Sequence, residues 1–173
     1  MNYGQIYFAD SANGTGMRTS LFVSGCTHHC HGCFNQETWD FSYGEPFTEK
    51  VEDEVVRSVS PDYIEGLTIL GGEPMEAKNQ PAICHLVERV KKETNSSIWI
   101  YSGYTWEELF SSRRCHTEYT DRILSCLDVL VDGEFKEDLK NIRLNFRGSA
   151  NQRIIDVPAS LKKGEVVLSP LNN

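Results

Sequence analysis

Three closely spaced cysteines are the residues of this chain whose type and spacing best suit chemistry. Cys26, Cys30 and Cys33 lie within residues 25–34, with three residues between the first pair and two between the second. Three thiolates from one short loop can bind three irons of a cubic iron–sulfur cluster, for which cysteine is the usual ligand. The fourth iron would then have no protein ligand and could bind a small molecule. The loop therefore predicts an iron–sulfur site with one open position.

A structural zinc ion is the competing interpretation of the same loop. Such a site needs four ligands, and His28, His29 or His31 could supply the fourth beside the cysteines. The three histidines could equally be polar loop residues that bind nothing. The loop by itself favours the open cluster and leaves the zinc alternative standing.

The other three cysteines are scattered and predict no second site. Cys84 and Cys126 lie in apolar runs and are expected in the core, where a free cysteine behaves as a small hydrophobe. Cys115 follows two arginines and is expected to be an exposed thiol without a role. Residues 1–10 show no secretion signal, so we expect reduced thiols and a cytoplasmic protein.

A second motif, Gly71-Gly72-Glu73-Pro74, directly follows a short apolar run. Two adjacent glycines would let a ligand lie against the backbone, and Glu73 could accept hydrogen bonds from an ammonium group. The plainer interpretation is a turn that ends a strand before a helix, which Gly-Gly and Pro support by themselves.

Strand and helix patterns alternate along most of the chain, which is typical of an α/β protein with a mainly parallel sheet. The predicted strands cover residues 21–23, 66–70, 97–101, 128–131 and 153–157, with a sixth at 165–168, and the predicted helices cover residues 48–59, 79–93, 105–110 and 119–127.

The chain length limits the architecture. A closed eight-stranded α/β barrel needs about 250 residues, whereas this chain has 173. We therefore expect an open doubly wound sheet or an incomplete TIM-like barrel of about five to six parallel strands with outer helices. Residues 1–173 are expected to form a single domain, with residues 158–173 as a tail that could add a strand.

The unusual residues follow successive predicted strands. The cysteine loop comes after the first strand, the two glycines after the second, Ser102 after the third and Asp132 after the fourth. Because ligands bind at the carboxyl ends of parallel strands, we expect all of them at one rim of the sheet.

The overall composition argues against two classes of protein. The formal net charge is −8 with an isoelectric point near 5.1, which disfavours a protein built mainly to bind nucleic acid. No apolar run approaches the roughly 20 residues that a membrane-spanning helix needs, so no membrane association is expected.

Taken together, the motifs resemble a known family. The cysteine loop followed by Gly-Gly-Glu-Pro is similar to the radical S-adenosylmethionine superfamily. Further segments resemble glycyl-radical activating enzymes, and in particular the activating proteins of anaerobic (class III) ribonucleoside-triphosphate reductases. These segments are residues 13–18, 21–26, 35–39, 131–135 and 147–153, and the resemblance extends from residue 1 to about residue 157.

The resemblance implies a radical mechanism on an incomplete barrel. Cys26, Cys30 and Cys33 would hold a [4Fe-4S] cluster whose fourth iron is chelated by S-adenosyl-L-methionine. An electron from flavodoxin or ferredoxin would give a 5′-deoxyadenosyl radical, which takes hydrogen from a glycine of the anaerobic reductase. The open side of the barrel would admit that polypeptide.

The resemblance also implies a set of cofactor contacts. Glu73 would hold the methionine amino group, and Phe34 would lie near the adenine. The complete expected set is Gly32, Phe34, Gly71, Gly72, Glu73, Ser102 and Asp132. The roles of Arg18, Glu134, Arg147, Asn151 and Gln152 stay open.

The chain departs from the family pattern at three positions. Thr15 replaces the proline of a Gly-Pro-Gly segment, and Glu134 stands where relatives can carry a lysine. Gly32 precedes the third cysteine, where the superfamily often has an aromatic residue, and Phe34 follows that cysteine. Two other functions remain as alternatives. One is an activating enzyme of the pyruvate formate-lyase type, although the extra cysteine-rich inserts of some such enzymes are absent here. The other is a non-catalytic zinc or iron–sulfur binding module.

Overall fold

The computed structural model describes residues 1–173. The fold is built on one seven-stranded sheet. Its strands are β1 (Asn2–Asp10), β2 (Arg18–Val23), β3 (Glu45–Pro46), β4 (Gly66–Gly71), β5 (Ser97–Ser102), β6 (Val129–Asp132) and β7 (Arg153–Asp156). The spatial order is β3-β1-β2-β4-β5-β6-β7. The four strands β2, β4, β5 and β6 are mutually parallel, whereas the outer strands pair antiparallel.

Five helices accompany the sheet: α1 (Glu49–Ser58), α2 (Gln80–Glu93), α3 (Trp106–Ser111), α4 (Thr120–Cys126) and α5 (Val157–Lys163). Short 3₁₀ turns occupy Gln36–Trp39 and Glu137–Leu139. The spacing of Thr105 and Glu108 predicts a capping box at the start of α3, and the structure confirms it: the Thr105 hydroxyl accepts from the Glu108 N–H, and the Glu108 carboxylate accepts from the Thr105 N–H. None of these helices combines the length and the apolar content that a membrane-spanning helix requires.

The sheet differs from the prediction at both ends. It is mixed and open, with four parallel strands rather than five or six. The connection of residues 133–152 contains no α-helix of the kind that usually joins parallel strands, and β7 pairs antiparallel to β6. Residues 165–168 make one bridge, Ile155 to Leu168, instead of a sixth strand. The first strand along the chain, β1, was not predicted.

The main core lies between one face of the sheet and the helices. It includes Val55, Ile83, Leu86 and Val87 from α1 and α2. The predicted burial of Cys84 and Cys126 is confirmed.

The expectation of an exposed Cys115 is wrong, because that side chain is fully buried. Its thiol donates to the Glu108 carbonyl at 3.3 Å, while the neighbouring Arg114 reaches toward the cysteine loop.

Arg18 is the largest fully buried side chain and lies at the start of β2, at the opposite end from the cysteine loop. Its Nε donates to the Thr68 hydroxyl at 2.8 Å, and its Nη2 donates to the carbonyls of Leu67 and Ser97, both at 3.1 Å. Burial lowers the pKa of this guanidinium to about 10. Arg18 therefore joins three parallel strands and lies away from the rim where the cysteines are.

Arg18→Met is expected to lower the free energy of unfolding by about 3 kcal/mol, because the buried acceptors of Leu67, Thr68 and Ser97 would lose their donor. Urea unfolding followed by circular dichroism measures this change. Arg57→Met, on the exposed side of α1, is the matched control and should stay within about 0.5 kcal/mol of the original chain. Equal stability of both variants would show that Arg18 does not stabilise the three strands that it joins.

Candidate functional site

The three cysteines lie at the carboxyl ends of the parallel strands, as predicted. After β2 the chain turns at Gly25, which has a positive φ of 100°. The backbone then doubles back, with the Cys26 N–H donating to the Trp39 carbonyl at 3.1 Å. Cys26, Cys30 and Cys33 all line one cavity of about 220 Å³. The fold thus brings three thiols to a single concave site.

The donor set of this cavity fits a cluster better than one zinc ion. No group of three or more His, Cys, Asp and Glu side chains is placed to hold a single metal ion. The histidines have other partners: His28 contacts two carboxylates, His29 stacks on Trp39 at 4.4 Å, and His31 is 94% exposed beside Glu137. A cubic cluster accepts three thiolates spread over separate irons. Zinc is the weaker fit, because each histidine of the loop already has another partner.

Two of the three thiols, those of Cys26 and Cys30, hold their protons more tightly than a free cysteine, because their pKa values are raised. Burial raises the pKa of Cys26 to about 12, and burial together with the charge of Glu134 raises that of Cys30. Cysteine binds metal as the thiolate. Loading of the site must therefore release protons, and iron affinity should rise with pH.

The two glycines of the Gly-Gly-Glu-Pro motif let β4 continue against the loop that follows β2. The Gly72 N–H donates to the Val23 carbonyl at 2.7 Å, and the Glu73 N–H donates to the Gly25 carbonyl at 2.8 Å. A Cβ on Gly72 would lie only 2.7 Å from the Gly25 oxygen. Gly71 and Gly72 also line the cavity, so their absent side chains serve both backbone packing and access to the site.

The Glu73 carboxylate is buried and accepts four hydrogen bonds. One oxygen accepts from the Met75 N–H and the Ser102 hydroxyl, both at 2.8 Å. The other accepts from the Gly103 N–H at 2.6 Å and pairs with His28 Nε2 at 2.9 Å. Glu73 therefore joins the ends of β4 and β5 to the cysteine loop.

The structure brings some of the expected cofactor contacts to the cavity and leaves two outside its lining. Ser102 lines it, and so does Phe34, which is 71% exposed at the entrance. Gly32 is exposed and outside the lining. Asp132 is buried elsewhere, where it accepts from the Trp106 N–H at 2.7 Å and pairs with Arg153 at 2.6 Å. At the end of β6 the adjacent Gly133 lines the cavity instead.

The polar residues before β7 hold the loop that follows β6. Asn151 donates to the Glu134 carbonyl at 2.7 Å, and Gln152 donates to the Gly133 carbonyl at 3.0 Å. Arg147 contacts the C-terminal Asn173. The side chains whose roles the sequence left open are thus fastened to the protein itself.

Several residues of the site escaped the sequence analysis as cavity residues, among them Tyr101, Trp39 and His28. Tyr101 lines the cavity and donates from its hydroxyl to the Phe146 carbonyl at 2.7 Å. Trp39 lines it with an indole N–H that is buried and has no partner. The sequence analysis considered His28 as a zinc ligand or as a polar loop residue, and not as a cavity residue. Tyr101 could have been predicted as a cavity residue from its place beside Ser102 at the end of a strand. Trp39 had no such signal, because it reaches the cavity only where the loop folds back on Cys26.

The comparisons with known proteins agree with this site. A family model of a 4Fe-4S single cluster domain matches residues 12–155. Three relatives are each described as an anaerobic ribonucleoside-triphosphate reductase-activating protein. The one from Escherichia coli K12 is 40% identical over 155 residues, 88% of this chain and 96% of the relative. That from Vibrio cholerae is 43% identical (89% and 97%), and that from phage T4 is 38% identical (89% and 93%).

The chain belongs to the family of anaerobic ribonucleoside-triphosphate reductase-activating proteins. The resemblance that rested on the cysteine loop and the motifs after it is confirmed, and so is the 4Fe-4S domain. The matched residues contain Cys26, Cys30 and Cys33, the three thiols that share the cavity. Family membership therefore favours the iron–sulfur interpretation over zinc on grounds independent of the geometry.

Proposed function

We propose that this protein is the activating enzyme of an anaerobic ribonucleoside-triphosphate reductase and generates a glycyl radical on it. The observation that carries the proposal is the shared cavity, which the three cysteines line together with Gly71, Gly72 and Glu73 at the strand ends. When bound, a reduced [4Fe-4S] cluster would supply the electron that splits S-adenosyl-L-methionine into methionine and a 5′-deoxyadenosyl radical. The protein's part is to bind, orient and shield these groups.

The chain's residues divide this work by position. Cys26, Cys30 and Cys33 hold three irons and leave the fourth to the methionine end of the cofactor. Glu73 organises the strand ends against which the methionine part of S-adenosylmethionine would lie. Phe34 offers an apolar face for the adenine at the entrance of the cavity. Gly71, Gly72 and Ser102 supply the remaining contacts from the cavity wall. Gly32 and Asp132, which lie outside the lining, act only by shaping the cysteine loop and the end of β6.

The open sheet suits a polypeptide substrate. An incomplete barrel, acting as a single domain, leaves a side through which a glycine-bearing loop of the reductase can approach the cavity. The edge strands of the sheet, β3 and β7, do not pair with each other, so the sheet stays open. Reduced flavodoxin or ferredoxin would supply the electron. We expect the protein to act in the reducing cytoplasm, where its thiols stay free to bind iron.

The decisive experiment is activation of the reductase. Reconstituted under anaerobic conditions with iron, sulfide, a reductant and S-adenosylmethionine, the protein should produce a glycyl radical on the anaerobic reductase, seen by electron paramagnetic resonance. The radical should be absent when S-adenosylmethionine is omitted. A radical on pyruvate formate-lyase but none on the reductase would instead assign the chain to the other class of activating enzyme.

A further inference from the structure

One side chain of the cysteine loop, His28, is fixed more tightly than its neighbours. It lies between Cys26 and Cys30, and its side chain is only 4% exposed. Its Nε2 pairs with Glu73 at 2.9 Å and its Nδ1 pairs with Glu134 at 2.7 Å. Both ring nitrogens are thus engaged by carboxylates on opposite sides of the ring.

The protein also confines the ring of His28 by packing. The ring lies 4.3 Å from that of Tyr104, between centroids. A Cβ on Gly103 would come within 2.7 Å of the imidazole, so glycine at that position leaves the space that the ring fills. Through these contacts one side chain joins the cysteine loop to the segments that follow β4, β5 and β6.

This anchor restricts where two of the cysteines can lie. His28 is two residues from Cys26 and two from Cys30, and a chain spans at most about 3.6 Å per residue. Thr27 adds a second attachment, because its N–H and its hydroxyl both donate to Glu76 at 2.7 Å. The part of the loop that carries the first two thiols is therefore held at the rim by the residues around Glu73.

We propose that His28 is a positioning residue that aligns the Cys26–Cys30 part of the loop with the Glu73 side of the cavity. This inference rests on the proposed function. Partners outside the direct ligands fix ligand orientation in metal sites, and their loss typically costs about 10–100-fold in metal affinity. His28 gives the protein such a partner, and through Glu73 the same residue couples the cluster loop to the bound S-adenosylmethionine.

His28→Ala tests the proposal in the whole, anaerobically reconstituted protein. The variant should load iron but lose it to a chelator about 10-fold faster. The change in the electron paramagnetic resonance signal of the reduced cluster on addition of S-adenosylmethionine should shrink. His28→Gln should recover part of both properties, because its amide can still hydrogen-bond to a carboxylate. His31→Ala, in the same loop but exposed, is the matched control and should match the original chain.

Glu134→Ala provides a second test that leaves the loop sequence intact. Alanine offers no partner to Nδ1 of His28, so faster iron loss is expected here too, with a smaller effect than for His28→Ala. If His28→Ala fails to fold, as judged by circular dichroism, this variant decides the question. The original rate of iron loss and the original spectral response to S-adenosylmethionine in either folded variant would overturn the proposal. Failure of the original chain to bind a cluster at all would instead refute the proposed function.

Discussion

Cys26→Ser is expected to abolish the cluster and with it the cleavage of S-adenosylmethionine. The original chain should be brown after reconstitution, with about four irons and four sulfides per chain, whereas the variant should remain nearly colourless and cleave no cofactor. The physical reason is that Cys26 is one of only three thiols in the cavity, so its loss leaves two. Iron and sulfide analysis, together with assay of 5′-deoxyadenosine, measures the effect.

Cys126→Ala is the matched control for this result. Its thiol is buried in the core against the helices and lies outside the cavity. The variant should keep the full iron content and lose only about 1 kcal/mol of stability from the removed sulfur. Full iron content in Cys26→Ser, or one zinc per chain and no cleavage in the original protein, would contradict the cluster assignment.

Glu73→Gln is expected to have the second large effect, on both stability and activity. The Met75 and Gly103 N–H groups donate to different oxygens of the carboxylate, so a glutamine in either orientation turns its NH₂ toward a fixed donor. The free energy of unfolding should fall by roughly 1–3 kcal/mol, and cofactor cleavage should fall by about 100-fold as the strand ends lose their alignment. Urea unfolding and the 5′-deoxyadenosine assay measure the two effects separately.

The control for Glu73→Gln is the same exchange on the surface of α2. Glu88 is 40% exposed and pairs with Arg122, away from the cavity. Glu88→Gln should change stability by less than about 1 kcal/mol and leave cleavage unchanged. If Glu73→Gln behaved like this control, Glu73 would have no part in organising the site.

The sequence predicted the elements whose signals are local. The capping residues of α3 and the apolar runs of β2, β4, β5 and β6 were recognisable because a cap depends on neighbouring residues and a buried strand on its own apolar content. The direction of β7 and the pairing of β1 were not recognisable in this way. Both depend on which strands meet across the sheet, and residues 133–152 carry no periodic signal for the return that they make.

The features of the candidate site also fall into those that local sequence predicts and those that depend on tertiary contacts. The spacing of Cys26, Cys30 and Cys33 determined by itself that three thiols would share one loop, and their position after a strand determined that the loop would lie at the rim. Only the tertiary structure decided that the Asp132 carboxylate turns to Arg153 and away from the cavity, and that His28 enters between two carboxylates. Spacing along the chain fixes which residues can be near one another. The direction of a charged side chain is decided by where its partners lie, and these partners come from distant strands whose charges must be paired once they are buried.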